Sequence, residues 1–285
     1  MRFHKYHGLG NDFIVVDLRA SEGSPSPLDP ETAKRLCDRR FGVGADGVIG
    51  LLPPAEAEND ARMRIINADG SEAEMCGNGI RCLAKFLYEQ VGVGRRVVRI
   101  ETLAGLRACS LTLGPDGTVE SVAVEMGAPE LEHGRIPMKG EGRFVDGWLE
   151  VAGQTLKVTA VSMGNPHAVT FVDEEPLPLA ESLGPHVEVH PAFPRRTNAE
   201  FARVAPDGAI DLAVWERGCG ITLACGTGAC ATAVAAVLTG RVPEGREVEI
   251  RLPGGTLHVT VVKGLGGVTM RGPATLVFTG TFQLS

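Results

Sequence analysis

Side-chain amides are scarce in this chain: of 285 residues, six are Asn and three are Gln. Aromatic residues make up 5%, with two Trp and two Tyr. A long apolar run is also missing. The most nearly apolar stretch, Ala229 to Leu238, is far short of the roughly 20 residues a membrane-crossing helix needs, so no helical span and no membrane partner is expected. The opening MRFHKYHGLGND lacks the apolar stretch of roughly 7 to 15 residues that a secretory signal carries, which points to the cytoplasm. Positive charge is not in excess, since 28 Lys and Arg stand against 35 Asp and Glu for a net charge of −7. The cations are scattered rather than striped, which argues against nucleic acid as a partner and leaves a small molecule. The seven Cys contain no C-x-x-C pair, and the tightest spacings are Cys76 to Cys82, Cys219 to Cys225 and Cys225 to Cys230. Neither a disulfide framework nor a metal site is expected, and reduced thiols are the starting assumption.

What is present is a globular composition, 44% hydrophobic and 22% charged, in a length that fits one large domain or two ordinary ones. The few amides are not spread evenly. Asn11 lies in GLGND, Asn67 in NADG, Asn78 in CGNG, Asn165 in GNPH and Asn198 in RTNAEF, while Asn59 sits in the acidic loop PPAEAEND. A chain that otherwise avoids amides and keeps them in these clusters suggests that they bind something. Turn chemistry, which also favours Asn and Gly, is the alternative for each cluster taken alone.

The hydrophobic pattern is rich in strands with few helices. FHKYHG, DFIVVDL and RMRIINADG read as strands; PETAKRLCDRRF reads as a helix ending near Gly42, and GIRCLAKFLYEQVG as an amphipathic helix closed by Gly92. VVRIETLAG, LRACSLTLGPDG and VESVAVEM follow as strands, and the second half repeats the style up to the helix GACATAVAAVLTG and the strands after it. A Cys-Gly-x-Gly opening a helix occurs twice, at Cys76 and at Cys225, 149 residues apart, and Asn67 and Glu216 each lie nine residues before their cysteine. A repeat at half the chain length predicts an α/β (α+β) fold of two similar, pseudo-duplicated domains with an active site in the cleft between them. The join is placed near Gly127, giving domains at 1–126 and 127–271, with the last strand, 272–285, returning to the first domain.

A thiol at a helix N-terminus meets unpaired N–H groups and the positive end of the helix dipole, which favour the thiolate. Two such sulfurs on opposite sides of one carbon, one thiolate and one thiol, form a base and an acid. That pairing inverts a stereocentre, with neither metal nor pyridoxal. The Gly beside each Cys lets main-chain N–H groups approach a substrate carboxylate. His167 and Glu216 are candidates for controlling thiol protonation, and Arg217 for clamping a carboxylate. Against these readings, a Cys is ordinarily a small core residue, as assigned to Cys37, Cys82, Cys109, Cys219 and Cys230. Cys76 and Cys225 as a redox disulfide, and His167 as a turn or core histidine, remain as alternatives. The glycines of FGVGADG are read as a loop near the site, since no G-K-[ST] follows.

GLGNDF, FGVGADG, NADGSEAEMCGNGIRC, GNPH, RTNAEF, WERG and ACGTGACA, taken together and in this order, resemble the diaminopimelate epimerase family over nearly the whole chain. The resemblance implies a cofactor-independent enzyme that converts LL-2,6-diaminopimelate to the meso isomer on the route to lysine and peptidoglycan. It also implies two domains, each a mixed sheet or barrel around a central helix, and a homodimer. By motif position it makes Cys76 and Cys225 the catalytic bases, assisted by His167 and Glu216. Asn11, Asn67, Asn165, Asn198, Glu216 and Arg217 become substrate contacts, and Gly77, Asn78, Gly226 and Thr227 surround the reacting carboxylate. Two positions depart from some members: Gly47 stands where they carry Gln, and Thr227 where they carry Ser. The first loses one side-chain contact and the second keeps its hydroxyl. Two other classes stay open. A proline racemase or hydroxyproline epimerase would bind a compact ring, for which so many polar anchors are an excess, and a binding or redox protein would exchange no proton.

Overall fold

β-Branched and aromatic residues at the start of the chain favour extended backbone. The first two strands form there, β1 (Arg2–Gly8) and β2 (Asn11–Asp17). A two-residue turn at Leu9 and Gly10 joins them, with φ of 56° and 86°, the left-handed pair that matches the twist of a hairpin. In this computed structural model, which describes residues 1–20, 26 and 28–283, the chain divides into two units: Met1–Val124 with Gly272–Ser285, and Glu125–Arg271.

The first unit continues with α1 (Pro30–Cys37), β3 (Gly47–Leu52), β4 (Ala61–Asn67), β5 (Glu72–Ala73) and α2 (Gly77–Phe86). β6 (Val97–Thr102), β7 (Gly105–Leu113) and β8 (Val119–Gly127) follow, the last running through the division. Asp29 caps α1 by accepting the Thr32 N–H at 3.3 Å, with Pro30 in the first turn. The helix stops at Cys37 rather than near Gly42. The reason is local: the Asp38 carboxylate accepts the N–H groups of Arg40 and Phe41 at 2.7 and 2.8 Å and turns the backbone away. Gly42 then lies so close to the end of α1 that a Cβ would stand 2.1 Å from the Arg35 carbonyl oxygen.

Strand alternation sorts this unit's core onto two faces of its sheet. Ile14, Val16, Val48 and Ile66 pack with Ala33 and Leu36 of α1. Ile49 and Ile65 turn instead to the first turn of α2, a helix packed on β1, β2, β3, β6 and β7. A five-residue π-turn, Leu87–Val91, prolongs α2, and Gly92 at φ 84° ends it.

The second unit holds β9 (Gly147–Val151), β10 (Gln154–Ser162), β11 (Pro166–Phe171), α3 (Pro176–Glu188), β12 (Asn198–Val204) and β13 (Ile210–Glu216). β14 (Gly220–Ile221), α4 (Gly226–Leu238), β15 (Glu247–Leu252), β16 (Gly255–Val261) and β17 (Val268–Gly272) complete it. α4 is buried on nearly every side from Gly226 to Ala236, as an all-apolar helix must be, and packs on β10, β11, β12, β15 and β16. α3 carries Pro176, Pro178 and Pro185, and the sequence pattern assigns no element there. Burial of Ala180, Leu183 and Val187 against Phe201 and Ala213 holds it helical. The last strand, β18 (Thr275–Thr281), pairs antiparallel with β1 from Arg2 opposite Thr281 to His7 opposite Thr275.

The two units share one connectivity. In the first, β1–β2 is antiparallel, β2–β3 parallel, β3–β4 and β4–β5 antiparallel, β4–β6 parallel, and β6–β7 antiparallel. The second runs through the same series from β10 to β16. Register repeats as well: Ile66 opposes Glu72 as Trp215 opposes Ile221, and Ala61 opposes Ile100 as Ile210 opposes Ile250. The fold is therefore a mixed α/β architecture of two pseudo-repeated units, each a sheet on a buried helix.

Candidate active site

Both Cys-Gly-x-Gly motifs fold as the sequence predicts, with the cysteine in extended backbone as the cap and the helix beginning at the next residue. Cys76 Sγ accepts the Gly79 N–H at 3.4 Å, and Cys225 Sγ accepts the Gly228 N–H at 3.3 Å. Each sulfur is thus fixed at the positive end of a helix. The seven cysteines form no disulfide; Cys219, expected in the core, is exposed.

In the first unit three predicted residues meet at the start of α2. Asn11 Oδ1 accepts from Cys76 Sγ at 3.7 Å and from Asn78 Nδ2 at 3.1 Å. Asn11 Nδ2 donates to Asp46 Oδ2 at 2.8 Å. Asp46 is held in turn by Arg39, which also makes a two-pronged contact with Asp12 at 2.7 and 3.0 Å. Lys5, buried, bonds Asp12 and the Gly44 carbonyl. Desolvation lifts the Asp12 carboxyl, but the bonds from Arg39 and Lys5 outweigh it and bring the group to about 2. Arg81, fully buried, donates to Asn78 Oδ1 at 2.9 Å and to the Gly77 carbonyl at 3.1 Å. Asn67 stands apart from this cluster at the end of β4 and donates to Ser71 Oγ at 3.0 Å. Sequence reasoning passes over Lys5, Asp12, Arg39, Asp46 and Arg81; for Lys5, Asp12 and Arg81 a charged residue within a strand or helix is the signal that could have found them, while Arg39 and Asp46 lie in the connection between α1 and β3 and carry no such signal.

In the second unit the predicted residues form a denser network. His167 is fully buried; its Nδ1 is 2.6 Å from Glu200 Oε1 and its Nε2 3.0 Å from Asn165 Oδ1. Asn165 Nδ2 donates to Thr227 Oγ1 at 3.3 Å, and that hydroxyl lies 3.6 Å from Cys225 Sγ. Asn198 is buried: its amide donates to the Pro166 carbonyl at 2.8 Å and its Oδ1 accepts the Arg217 N–H at 2.9 Å. The Arg217 side chain is exposed and reaches the Arg195 carbonyl at 3.2 Å. Glu216 accepts from the Thr222 hydroxyl. Glu188 was not foreseen: it takes Trp215 Nε1 at 2.7 Å and the Gly218 N–H at 3.0 Å and so clamps the turn that carries Glu216 and Arg217.

Electrostatics here set Cys225 apart from an ordinary helix-start thiol. A helix start favours a thiolate, yet burial, followed by the Glu216 and Glu200 carboxylates, pushes the Cys225 thiol well above its usual range. Hydrogen bonds from Thr227 and the Gly228 N–H oppose the rise and do not cancel it. Loss of hydration likewise raises Glu216, against the pull of Thr222, His167 and Cys225. In the second unit a protonated sulfur therefore sits beside a carboxyl held above the ordinary carboxylate range. Among the described residues no group of three or more His, Cys, Asp or Glu side chains is arranged to hold a metal ion, and no helix is long and apolar enough to cross a membrane.

Comparison with known proteins agrees with the duplicated α/β architecture. A crystal structure described as a probable proline racemase from Agrobacterium radiobacter superposes with a TM-score of 0.72 over 100% of this chain and 93% of that one, at 20% identity, and shares the fold. In sequence, a protein named diaminopimelate epimerase 1 from a Nostoc species is 52% identical over 98% of this chain and 99% of its own. The diaminopimelate epimerase of Synechococcus elongatus is 53% identical over 100% and 99%. The family described as diaminopimelate epimerase matches residues 3–132 and 159–277. The chain belongs to the diaminopimelate epimerase family, and so to the isomerases.

Proposed function

We propose that this chain converts LL-2,6-diaminopimelate to the meso isomer with Cys76 and Cys225 as its two bases, supplying the precursor of lysine and peptidoglycan. The observation that carries the reading is the duplication itself: one capping cysteine stands at the same helix start in each unit. One sulfur, as thiolate, takes the α-proton from one face of the carbon, and the C–H electron pair stays on that carbon. The other, as thiol, gives its proton to the opposite face, where the pair forms the new C–H bond. The sulfurs end with their protonation exchanged, so the step balances without a cofactor. On this reading the raised thiol of Cys225 makes it the acid toward LL substrate. The N–H groups at Gly77 and Asn78, and at Gly226 and Thr227, receive the α-carboxylate and stabilise charge as the proton leaves. Asn11, Asn67, Asn165, Asn198, Glu216 and Arg217 hold the two amino acid ends, with His167 and Glu216 handling the thiol protons. Val277 and Phe278, exposed on β18, supply apolar surface for a homodimer.

Incubating purified protein with LL-diaminopimelate in deuterated water tests the reaction. One solvent deuteron at the inverted carbon, with no additive, is the expected result; absence of exchange rejects the reading. Turnover of proline in place of diaminopimelate would move the chain to its compact-ring relatives. Cys76→Ser and Cys225→Ser each keep an acceptor for the capping N–H, so both variants should fold while losing roughly 10²- to 10⁴-fold in rate. Near-normal turnover by either defeats the two-base assignment.

A further inference from the structure

We infer that Glu200 is the positioning residue for His167, fixing the ring's orientation and the location of its hydrogen; the inference rests on the role proposed above for His167. Glu200 is fully buried in β12, between Val169 of β11 and Val214 of β13 on the neighbouring strands. A carboxylate in such a place is costly unless it is paired. Its Oε1 meets His167 Nδ1 at 2.6 Å, and its Oε2 has no hydrogen-bond partner. A carboxylate oxygen and an amide oxygen both accept, so Nδ1 carries a hydrogen toward Glu200 Oε1 and Nε2 donates to Asn165 Oδ1. From there the contacts run through Asn165 and Thr227 to Cys225. Rotation of the imidazole would release Asn165, and with it the hydroxyl beside the sulfur.

The other half of the molecule supplies a control for a purely structural role. Gly79 and Gly228 hold the same place in α2 and α4, three residues after each cysteine. A Cβ at Gly79 would stand 3.0 Å from Ile49 Cδ1, and a Cβ at Gly228 would stand 3.0 Å from Glu200 Oε1. Ile49 is therefore the counterpart of Glu200. The strand registers agree, since Phe13 opposes Gly47 and Val15 opposes Ile49, as His167 opposes Asn198 and Val169 opposes Glu200. Where the second unit buries a His–Glu pair, the first buries Phe13 and Ile49. The architecture thus stands with an apolar pair at this position, and the carboxylate serves the imidazole rather than the fold. Its placement under the first turn of α4 adds the positive end of that helix to its partners.

The test has two arms on the full-length protein. In ¹⁵N-resolved NMR of the unmodified protein, His167 should show its hydrogen on Nδ1; a ring with a bare Nδ1 overturns the inference. In kinetics, Glu200→Ile should lower kcat by roughly ten- to a hundredfold, a loss of the size seen when a group orienting another is removed, with KM little changed. Glu200→Gln, whose amide oxygen still accepts from Nδ1, should recover most of that loss. In a His167→Phe background, Glu200→Ile should cost nothing further and should not lower Tm, because the pair then copies Phe13 and Ile49. An equal drop in kcat with and without His167 would mean that Glu200 acts on the fold, and the inference would fail. Failure of the unmodified protein to exchange deuterium into diaminopimelate is a separate result: it removes the proposed reaction and leaves the Glu200–His167 bond to the NMR arm.

Discussion

Asn67 and Glu216 occupy one position in the two copies of the fold, each the last residue of its strand and each nine residues ahead of the capping cysteine. The first copy places an amide there, bonded to Ser71 Oγ; the second places a carboxyl, bonded to the Thr222 hydroxyl. A shared backbone thus presents an uncharged group in one unit and a titratable one in the other. On the proposed mechanism, this difference is what would make the two copies unequal as acid and base.

Glu216 gives a pH signature with a definite sign. Loss of hydration raises its folded carboxyl above the usual 4.5, so its contribution to stability is complete below that value and is lost as pH rises through the raised one. Urea unfolding of the wild type and of Glu216→Gln should show the wild type losing stability relative to the variant as pH rises from 4.5 toward neutrality. A difference independent of pH would contradict the raised carboxyl. Removing the carboxylate also removes one group that opposes the Cys225 thiolate, so thiolate absorbance of that sulfur should appear at lower pH in the variant.

Asp12 behaves in the opposite sense. Its folded value of about 2, below the usual 3.8, stabilises the protein above 3.8, and that stability disappears as pH falls from 3.8 to about 2. Asp12→Asn should flatten this acid limb in unfolding experiments. Asp12 accepts the Asp46 N–H at 3.2 Å and holds Arg39 against Asp46, so the substitution loosens the partner of Asn11 and KM should rise more than kcat falls. An acid limb unchanged in Asp12→Asn would show that other carboxylates carry it.

Gly184 of α3 lies against Trp215 of β13, where an added Cβ would stand 2.5 Å from Trp215 Cβ. Alanine in a helix gains about 1 kcal/mol over glycine, but overpacking a buried contact costs about 1–3 kcal/mol. Gly184→Ala should therefore lower Tm. It should also reduce activity, because Trp215 leads directly into Glu216. Gly94→Ala meets nothing within 4 Å and should leave Tm unchanged. If both variants melted alike, the contact with Trp215 would not matter.

Much of this molecule was legible before any coordinates. The alternation in DFIVVDL and RMRIINADG, the glycine that ends α2 and the two Cys-Gly-x-Gly helix starts are local features, decided by backbone sterics and by hydrogen bonds between near neighbours in the chain. Such features are written in short stretches of residues. Tertiary structure alone decided the rest. A segment with three prolines became α3 because burial on Phe201 and Ala213 outweighed its propensity. Cys225 became a thiol resistant to ionisation because burial strips it of water, and because Glu216 and Glu200, nine and 25 positions away in the chain, add their charge beside it. Glu200 was only a letter of the RTNAEF cluster, with no role of its own, until Gly228, from a helix 28 positions further on, came to rest against it. Electrostatic energy depends on separation in space and on exclusion of solvent, and neither is a property of neighbouring letters in a sequence.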